Sequence, residues 1–471
     1  MNKLHTFYTF MCILGLTLSF GFNSCTKKVY ESGVVTSRSG GDRFIIIDHP
    51  IVITDHQVYD REVIFYPGAF LETTGKGKTI FNKPFSIIGQ HQVFDEKINI
   101  EFKEGIASVL NPVWFGAIGY DEEDDTDAIS KLFEVVSKLS NAVRVEIPIG
   151  KYILSRQITI ETTFDEKAVI YIQGISNSNT GISGSSFVWN GQKNASMFKL
   201  MNVSNSVFEN LDFNSIPGKY TMHNIELRPY TNQIKFQKCT FGGCAGEGSA
   251  NVNLNEGDAN QVSEIVFDNC NFRGVLSNEN TTMHGVIGGW ANTKDFYFRY
   301  CSFGPYAGEA LKIKTTDVLM VEGCNFFGND VDISCETCKS YLVSNYSEGS
   351  AAFWSSTASS NFNATTMINN QFTGIPKDGF VIRDGSGTLV LINNNFGAGN
   401  YYADENRVRW EENEFSTIFS IGNVFKNSDI TRTAFYNRSN TPFNVKYIES
   451  NGDLGGVLGE GRKRLEIIRK N

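Results

Sequence analysis

Apolar and polar residues alternate with period two through the middle of this chain. The runs IKFQK (Ile234–Lys238), IVFDN (Ile265–Asn269), FYFRY (Phe296–Tyr300), LMVEG (Leu319–Gly323) and LVLIN (Leu389–Asn393) are rich in β-branched and aromatic residues. That is the pattern of short half-buried strands. Each run leads into a tetrad ending in Phe: KCTF (Lys238–Phe241), NCNF (Asn269–Phe272), YCSF (Tyr300–Phe303) and GCNF (Gly323–Phe326). The series begins with NLDF (Asn210–Phe213). It continues with Asn in the Cys slot, as NNQF (Asn369–Phe372), NNNF (Asn393–Phe396) and GNVF (Gly422–Phe425). SNYSEG (Ser344–Gly349) fills the missing coil without a Phe. Self-similarity at this period with strand periodicity predicts a stacked solenoid of strands and turns. The expected fold is an all-β, right-handed, single-stranded parallel β-helix, its hand following from the crossover rule. Equivalent residues then stack about 4.8 Å apart. Cys lies over Cys, Phe fills the bore, and Asn forms an internal ladder.

One segment departs from this rhythm. The acidic cluster Asp121–Asp127 precedes Ile129, Leu132, Phe133, Val136 and Leu139, which fall on one face of a helix. Asp125 or Thr126 is the expected N-cap, with carboxylates at the positive helix end. A helix across the open end of a β-helix would cover an edge prone to aggregation.

The segment WFGAIGYDEEDDTDAI, followed by VEIPIGKYIL at Val145–Leu154, resembles the opening of the pectate-lyase-like superfamily of rhamnogalacturonases, polygalacturonases, epimerase-like proteins and phage tailspikes. Phe115, Gly116, Ala117, Gly119, Asp124, Asp125, Thr126, Ala128, Ile129, Pro148, Gly150 and Tyr152 match its motif. The resemblance implies the β-helix fold over about residues 114–425 and a polysaccharide substrate, mostly acidic. The motif itself is structural and carries no catalytic residue.

With 471 residues and 20% charged positions, the chain is long enough for an extended core. Its net charge of −9 is dispersed with no basic stripe, so nucleic acid is not an expected partner. Met1–Phe22 reads as a short targeting segment, and FNSC resembles a loose lipobox that would lipidate Cys25. The chain is accordingly expected to be an exported outer-membrane lipoprotein of the Bacteroidota type, facing the periplasm or the surface. The expected layout is a signal at residues 1–25, a tether at 26–38, and N-terminal strands or first coils at 39–110. The β-helix follows at 111–445, with a C-terminal cap or tail at 446–471. Export permits disulfides, yet Cys239, Cys270, Cys301 and Cys324 sit in an interior slot and are expected to be free thiols. Cys335 and Cys338 form a lone CxxC without the second ligand pair that zinc needs, leaving a local disulfide or two separate thiols. No metal or cofactor is expected.

Chemistry is expected on the strands that follow the tetrads. Taking Ile225/Leu227, Val252/Leu254, Ile287, Leu311/Ile313 and Val331/Ile333 as inward gives three outward rows. They run Asn224, Asn251, His284, Ala310, Asp330; then Glu226, Asn253, Val286, Lys312, Asp332; then Arg228, Asn255, Gly288, Lys314, Ser334. His284, Lys312, Asp330 and Asp332 are the candidate catalytic residues; Glu226, Arg228, Trp290 and Lys314 are the candidate substrate contacts. The equally bland alternative is an ion-paired solvated face with Lys312 over Asp332, which would contribute little. HGVIGG (His284–Gly289) followed by KIKT (Lys312–Thr315) resembles the polygalacturonase strand order, but Asn253 and Asn255 stand where that family implies aspartates. Asp330 and Asp332, or Glu256 and Asp258, could supply the two carboxyls of an inverting hydrolase. Elimination from a uronate would instead use His284 or Lys312 as base and Arg228 or Lys314 to neutralise the carboxylate. A non-catalytic glycan-binding or structural surface protein is the third reading. Hydrolase, lyase and binding module stay open at this point.

Overall fold

The computed structural model describes residues 35–36, 44–103, 105–162, 169–175, 184–255, 262–277, 280–289, 294–356, 363–374, 380–382, 386–395, 414–423, 445–450 and 465–469. The alternating N-terminal region already forms coils. Phe44–Ile47, Glu62–Phe65 and Phe85–Ile87 pair in parallel, as do Pro50–Ile53 with Phe70–Thr73, and Gln57–Tyr59 with Lys78–Phe81 and Asn99–Phe102. Val35–Thr36 adds antiparallel to the outer edge of the first of these sheets. Tyr59, Phe81 and Phe102 pile up along this section at centroid spacings of 5.0 and 5.3 Å.

A 3₁₀ turn at Pro112–Phe115 and the helix Thr126–Val136 separate these coils from the main ones. Ile129, Leu132, Phe133, Val136 and Leu139 are all buried, and Phe133 meets Phe198 edge-on at 6.1 Å. The expected side-chain cap is absent. Asp125 occupies the N-cap, but its carboxylate accepts from the backbone amides of Ile118 (2.6 Å) and Ile153 (3.0 Å). Asp124 accepts from Thr126 N instead, at 3.0 Å. The motif acid Asp125 is thus a staple between the turn and the following strand, and burial pushes its carboxyl up to about 6.

The main body is a right-handed parallel β-helix. Each coil feeds three parallel ladders, two of them joined in one 21-stranded sheet and the third a 9-stranded sheet, and the register follows the tetrads. Phe213, Phe241, Phe272, Phe303 and Phe326 align strand to strand. Their rings stack at 5.3, 5.0, 4.5 and 5.0 Å. A second stack, Phe208–Phe236–Phe267–Phe298, comes from the runs before the tetrads. Each such ring contributes about 1.5–3 kcal/mol of apolar burial. The first tetrad residue has positive φ throughout: Asn210, Lys238, Asn269, Tyr300, Gly323, Ser344, Asn369, Asn393 and Gly422. One left-handed residue swings the chain from one sheet to the next.

The slot behind it is a hydrogen-bond ladder that Cys and Asn share. Asn345, Asn370, Asn394 and Asn423 donate Nδ2 to the carbonyls of Val321, Leu342, Met367 and Leu391 at 2.8–3.0 Å. Cys239, Cys270, Cys301 and Cys324 donate their thiols to the equivalent carbonyls of Phe208, Phe236, Phe267 and Phe298 at 3.4–3.6 Å. Burial pushes the Cys239 and Cys301 thiols up, keeping them protonated as donors. Cys335 and Cys338 form a disulfide. The strands Val445–Ser450 and Leu465–Arg469 extend the same parallel sheet.

Candidate functional site

The candidate face is carried by five consecutive strands of one sheet: His223–Leu227, Gly246–Leu254, Thr282–Gly288, and the first halves of Glu309–Glu322 and Val331–Val343. Ile225 aligns with Val252, Val286, Leu311 and Ile333, all in the core. The inward residue of the third strand is therefore Val286 and not Ile287. A one-residue slip exchanges the faces of a strand, and all three expected rows are corrected. The outward row through Glu226 runs Asn253, Ile287, Lys312, Ser334. The row three residues earlier runs His223, Ala250, His284, Glu309, Val331.

The residues between these rows point inward. Asn224 donates to Gly242 O at 2.8 Å, and Tyr306, fully inside, donates to Asn251 Oδ1 at 2.5 Å. Asp332 belongs to this interior set. It is wholly buried, accepts from Asn329 Nδ2 at 2.8 Å and from the Ser347 hydroxyl, and burial pushes it up to about 7. It neither lies under Lys312 nor reaches the outer face. Asp330 is exposed at the mouth of the same strand. The proposed Asp330–Asp332 acid pair is thus split between solvent and core. Two consecutive inward residues at the strand entrance, Asn224 and Ile225, defeat strict alternation.

The structure instead brings together His223, Glu226, Arg228, Asn253, His284, Glu309 and Lys312. His284 Nδ1 lies 3.0 Å from Glu309 Oε2, without the alignment of a full hydrogen bond. Burial alone would raise the Glu309 carboxyl; the His284 ring and the Lys312 ammonium outweigh it and hold it below the usual carboxylate value. Gly308 makes room for this pair, since a Cβ there would stand 3.0–3.1 Å from the His284 ring. Glu226 pairs with Arg228. His223 Nδ1 is 3.2 Å from Ala250 O, and its Nε2 is 3.3 Å from Asn253 Nδ2. Burial pushes the His223 imidazole down, with the Ala250 contact and Glu226 working against it.

Although these side chains project from the barrel, His223, Glu226, Asn253 and His284 keep only 6, 8, 7 and 6% of their surface exposed. These side chains are therefore buried, unlike those of a solvated sheet face. Lys314 is half-buried on the adjoining row, aligned with Arg228, Asn255, Gly289 and Glu336 by the pairing of their neighbours. Trp290, Glu256, Asp258 and Cys25 lie outside the described residues. Among the described residues no group of His, Cys, Asp and Glu could hold a metal ion. His223 and Glu309 were missed by alternation. Their signal was compositional: His223 is one of only six histidines, and Glu309 opens the strand that carries Lys312.

No family model and no curated protein matches the chain. Solved structures do. DFA-IIIase from Arthrobacter chlorophenolicus A6 without its lid, in complex with GF2, matches with a TM-score of 0.52 at 12% identity, over 77% of this chain and 98% of that one. The same enzyme in another complex with GF2 gives 0.50 at 12% identity, over 76% and 98%. ORF18 of Geobacillus virus E2 gives 0.44 at 13% identity over 73% of this chain, which spans 61% of that protein. At these identities the likeness to DFA-IIIase is one of fold.

Proposed function

We propose that this protein is a carbohydrate-active enzyme that cleaves an acidic, uronate-containing glycan by β-elimination at the candidate face. The observation that carries this reading is the His284–Glu309 pair beside Lys312. A carboxylate on Nδ1 favours a proton there and leaves Nε2 as the base. In the elimination, Nε2 takes the proton from C5 of the uronate. The C5–H electron pair forms the C4=C5 double bond, and the C4–O bond breaks. The leaving oxygen takes a proton from water or a neighbouring acid. Lys312 and Arg228 supply the positive charge that stabilises the carboxylate as its α-carbon loses the proton.

The spacing of carboxylates disfavours hydrolysis. Glu226 and Glu309 sit three strands apart, about 14 Å by sheet spacing, beyond the roughly 6.5–9.5 Å of an inverting pair. The superfamily resemblance of the Trp114–Leu154 segment supports a polysaccharide substrate. So does the fold shared with DFA-IIIase, an enzyme solved in complex with GF2. The test is a panel of uronate glycans read both by reducing ends and by the absorbance of unsaturated uronate. Double-bond formation is expected. Reducing ends without it would replace elimination with hydrolysis, and binding without turnover would make the face a lectin-like surface. We also propose lipid attachment at Cys25; Cys25→Ala should then lose detergent partitioning, and retained partitioning would place the anchor elsewhere.

A further inference from the structure

The two histidines of the candidate face share one row, His223–Ala250–His284, but have different partners. His284 faces a carboxylate. His223 faces a carbonyl and an amide. We propose that His223 is a positioning residue whose neutral imidazole fixes the orientation of the Asn253 carboxamide, making Asn253 a specificity-determining contact for a donating hydroxyl of the glycan. This rests on the reading of that face as the glycan site.

The argument is one of donors and acceptors. A backbone carbonyl can only accept, so at 3.2 Å the Ala250 oxygen assigns the proton to His223 Nδ1. In a neutral ring Nε2 then carries only a lone pair. Its neighbour at 3.3 Å, Asn253 Nδ2, must be the donor. The amide end of Asn253 is committed to His223, and the oxygen end is turned the other way. Asn253 stands between Glu226 and Ile287 on the row that runs on to Lys312. It lies one strand from Glu226 and two from Lys312.

Protonation would undo the arrangement. An N–H at Nε2 would oppose an N–H of Asn253, and the carboxamide would have to turn over. The charged and titratable groups acting on His223 are Glu226, Arg228 and His284. Glu226 favours the imidazolium, whereas Arg228 and His284 oppose it. Burial of more than nine-tenths of the side chain also opposes it. The ring stays neutral and keeps its acceptor.

The test uses the full chain labelled with ¹³C and ¹⁵N at histidine, with the His223 signal identified by its loss in His223→Gln. The wild type should show a neutral Nδ1–H tautomer at His223, titrating below free histidine. Asn253→Asp puts a carboxylate against Nε2 and should move that titration to clearly higher pH. An Nε2–H tautomer in the wild type, or a titration that Asn253→Asp leaves in place, overturns the proposal. On a glycan the wild type turns over, Asn253→Ala should raise KM about tenfold with kcat within about threefold. His223→Gln, which keeps an acceptor, should fall between. An unchanged KM in Asn253→Ala removes the specificity role. If no glycan is turned over, the lyase reading fails, and the tautomer measurement still decides the role of His223.

Discussion

Ser347 donates its hydroxyl to Asp332 Oδ2 inside the barrel, in the one described coil where the tetrad's Phe is missing. Ser347 aligns with Phe326 on one side and Phe372 on the other. The smaller side chain leaves room for an interior carboxyl. Phe353, from the following strand, fills the break in the ring stack, at 6.1 Å from Phe326 and 4.8 Å from Phe372. The sequence irregularity and the buried acid are two halves of one local solution.

Stability should therefore fall as the pH rises past the Asp332 titration. Its folded value of about 7 lies above the ordinary 3.8. The folded state binds the proton more tightly, so the cost of ionising it begins above pH 3.8 and is complete above about pH 7. Asp332→Asn should raise the melting temperature at pH 8 relative to wild type and change it little at pH 4. A variant less stable than wild type at pH 8 would show that the ionised carboxylate is well satisfied.

The ladder should be sensitive to the loss of a single rung. Asn370 donates to Leu342 O at 2.8 Å and to Asn394 Oδ1 at 2.9 Å, and it accepts from Asn345 N at 2.9 Å. Asn370→Ala leaves buried backbone groups unpaired and should cost about 2–4 kcal/mol in denaturant unfolding. Asn370→Cys should cost less, because upstream coils use Cys at the same position. Equal losses would mean that the thiol contacts contribute nothing.

The buried free cysteines should be chemically silent in the native state. Cys239, Cys244, Cys270, Cys301 and Cys324 are buried free thiols, and burial pushes Cys244 up to about 12. A thiol reagent should label them only after unfolding. Rapid labelling of any of the five in the folded protein would contradict the interior placement of that position.

The fold was largely legible because a β-helix writes its register into the sequence. The tetrad marks a left-handed corner, a ladder rung and a core ring in four residues. It did so despite Lys238 and Tyr300 at corners where Asn or Gly is more usual. The site was less legible. Lys312 and His284 stood out as charged or titratable residues on apolar strands, but their neighbours depend on register across coils. Val286 and Ile287 are both apolar, so composition does not say which one faces the core. Choosing Ile287 moved His284 one row away from Glu309 and hid the pair. The consecutive inward residues Asn224 and Ile225 likewise made Asp332 look like a surface acid. Tertiary packing set these orientations, and no local periodicity records it.

The central claim is that His284, held by Glu309, is the base of an eliminating enzyme. The most direct test is the rate of unsaturated uronate formation by wild type, His284→Ala and Glu309→Gln on one glycan, with melting temperatures measured in parallel. Asp332→Asn serves as the interior control. His284→Ala should lower kcat at least about a hundredfold, the range of a lost general base. Glu309→Gln, which removes the carboxylate beside Nδ1, should lower it less. Asp332→Asn should retain activity. Full activity in a folded His284→Ala protein would contradict the account.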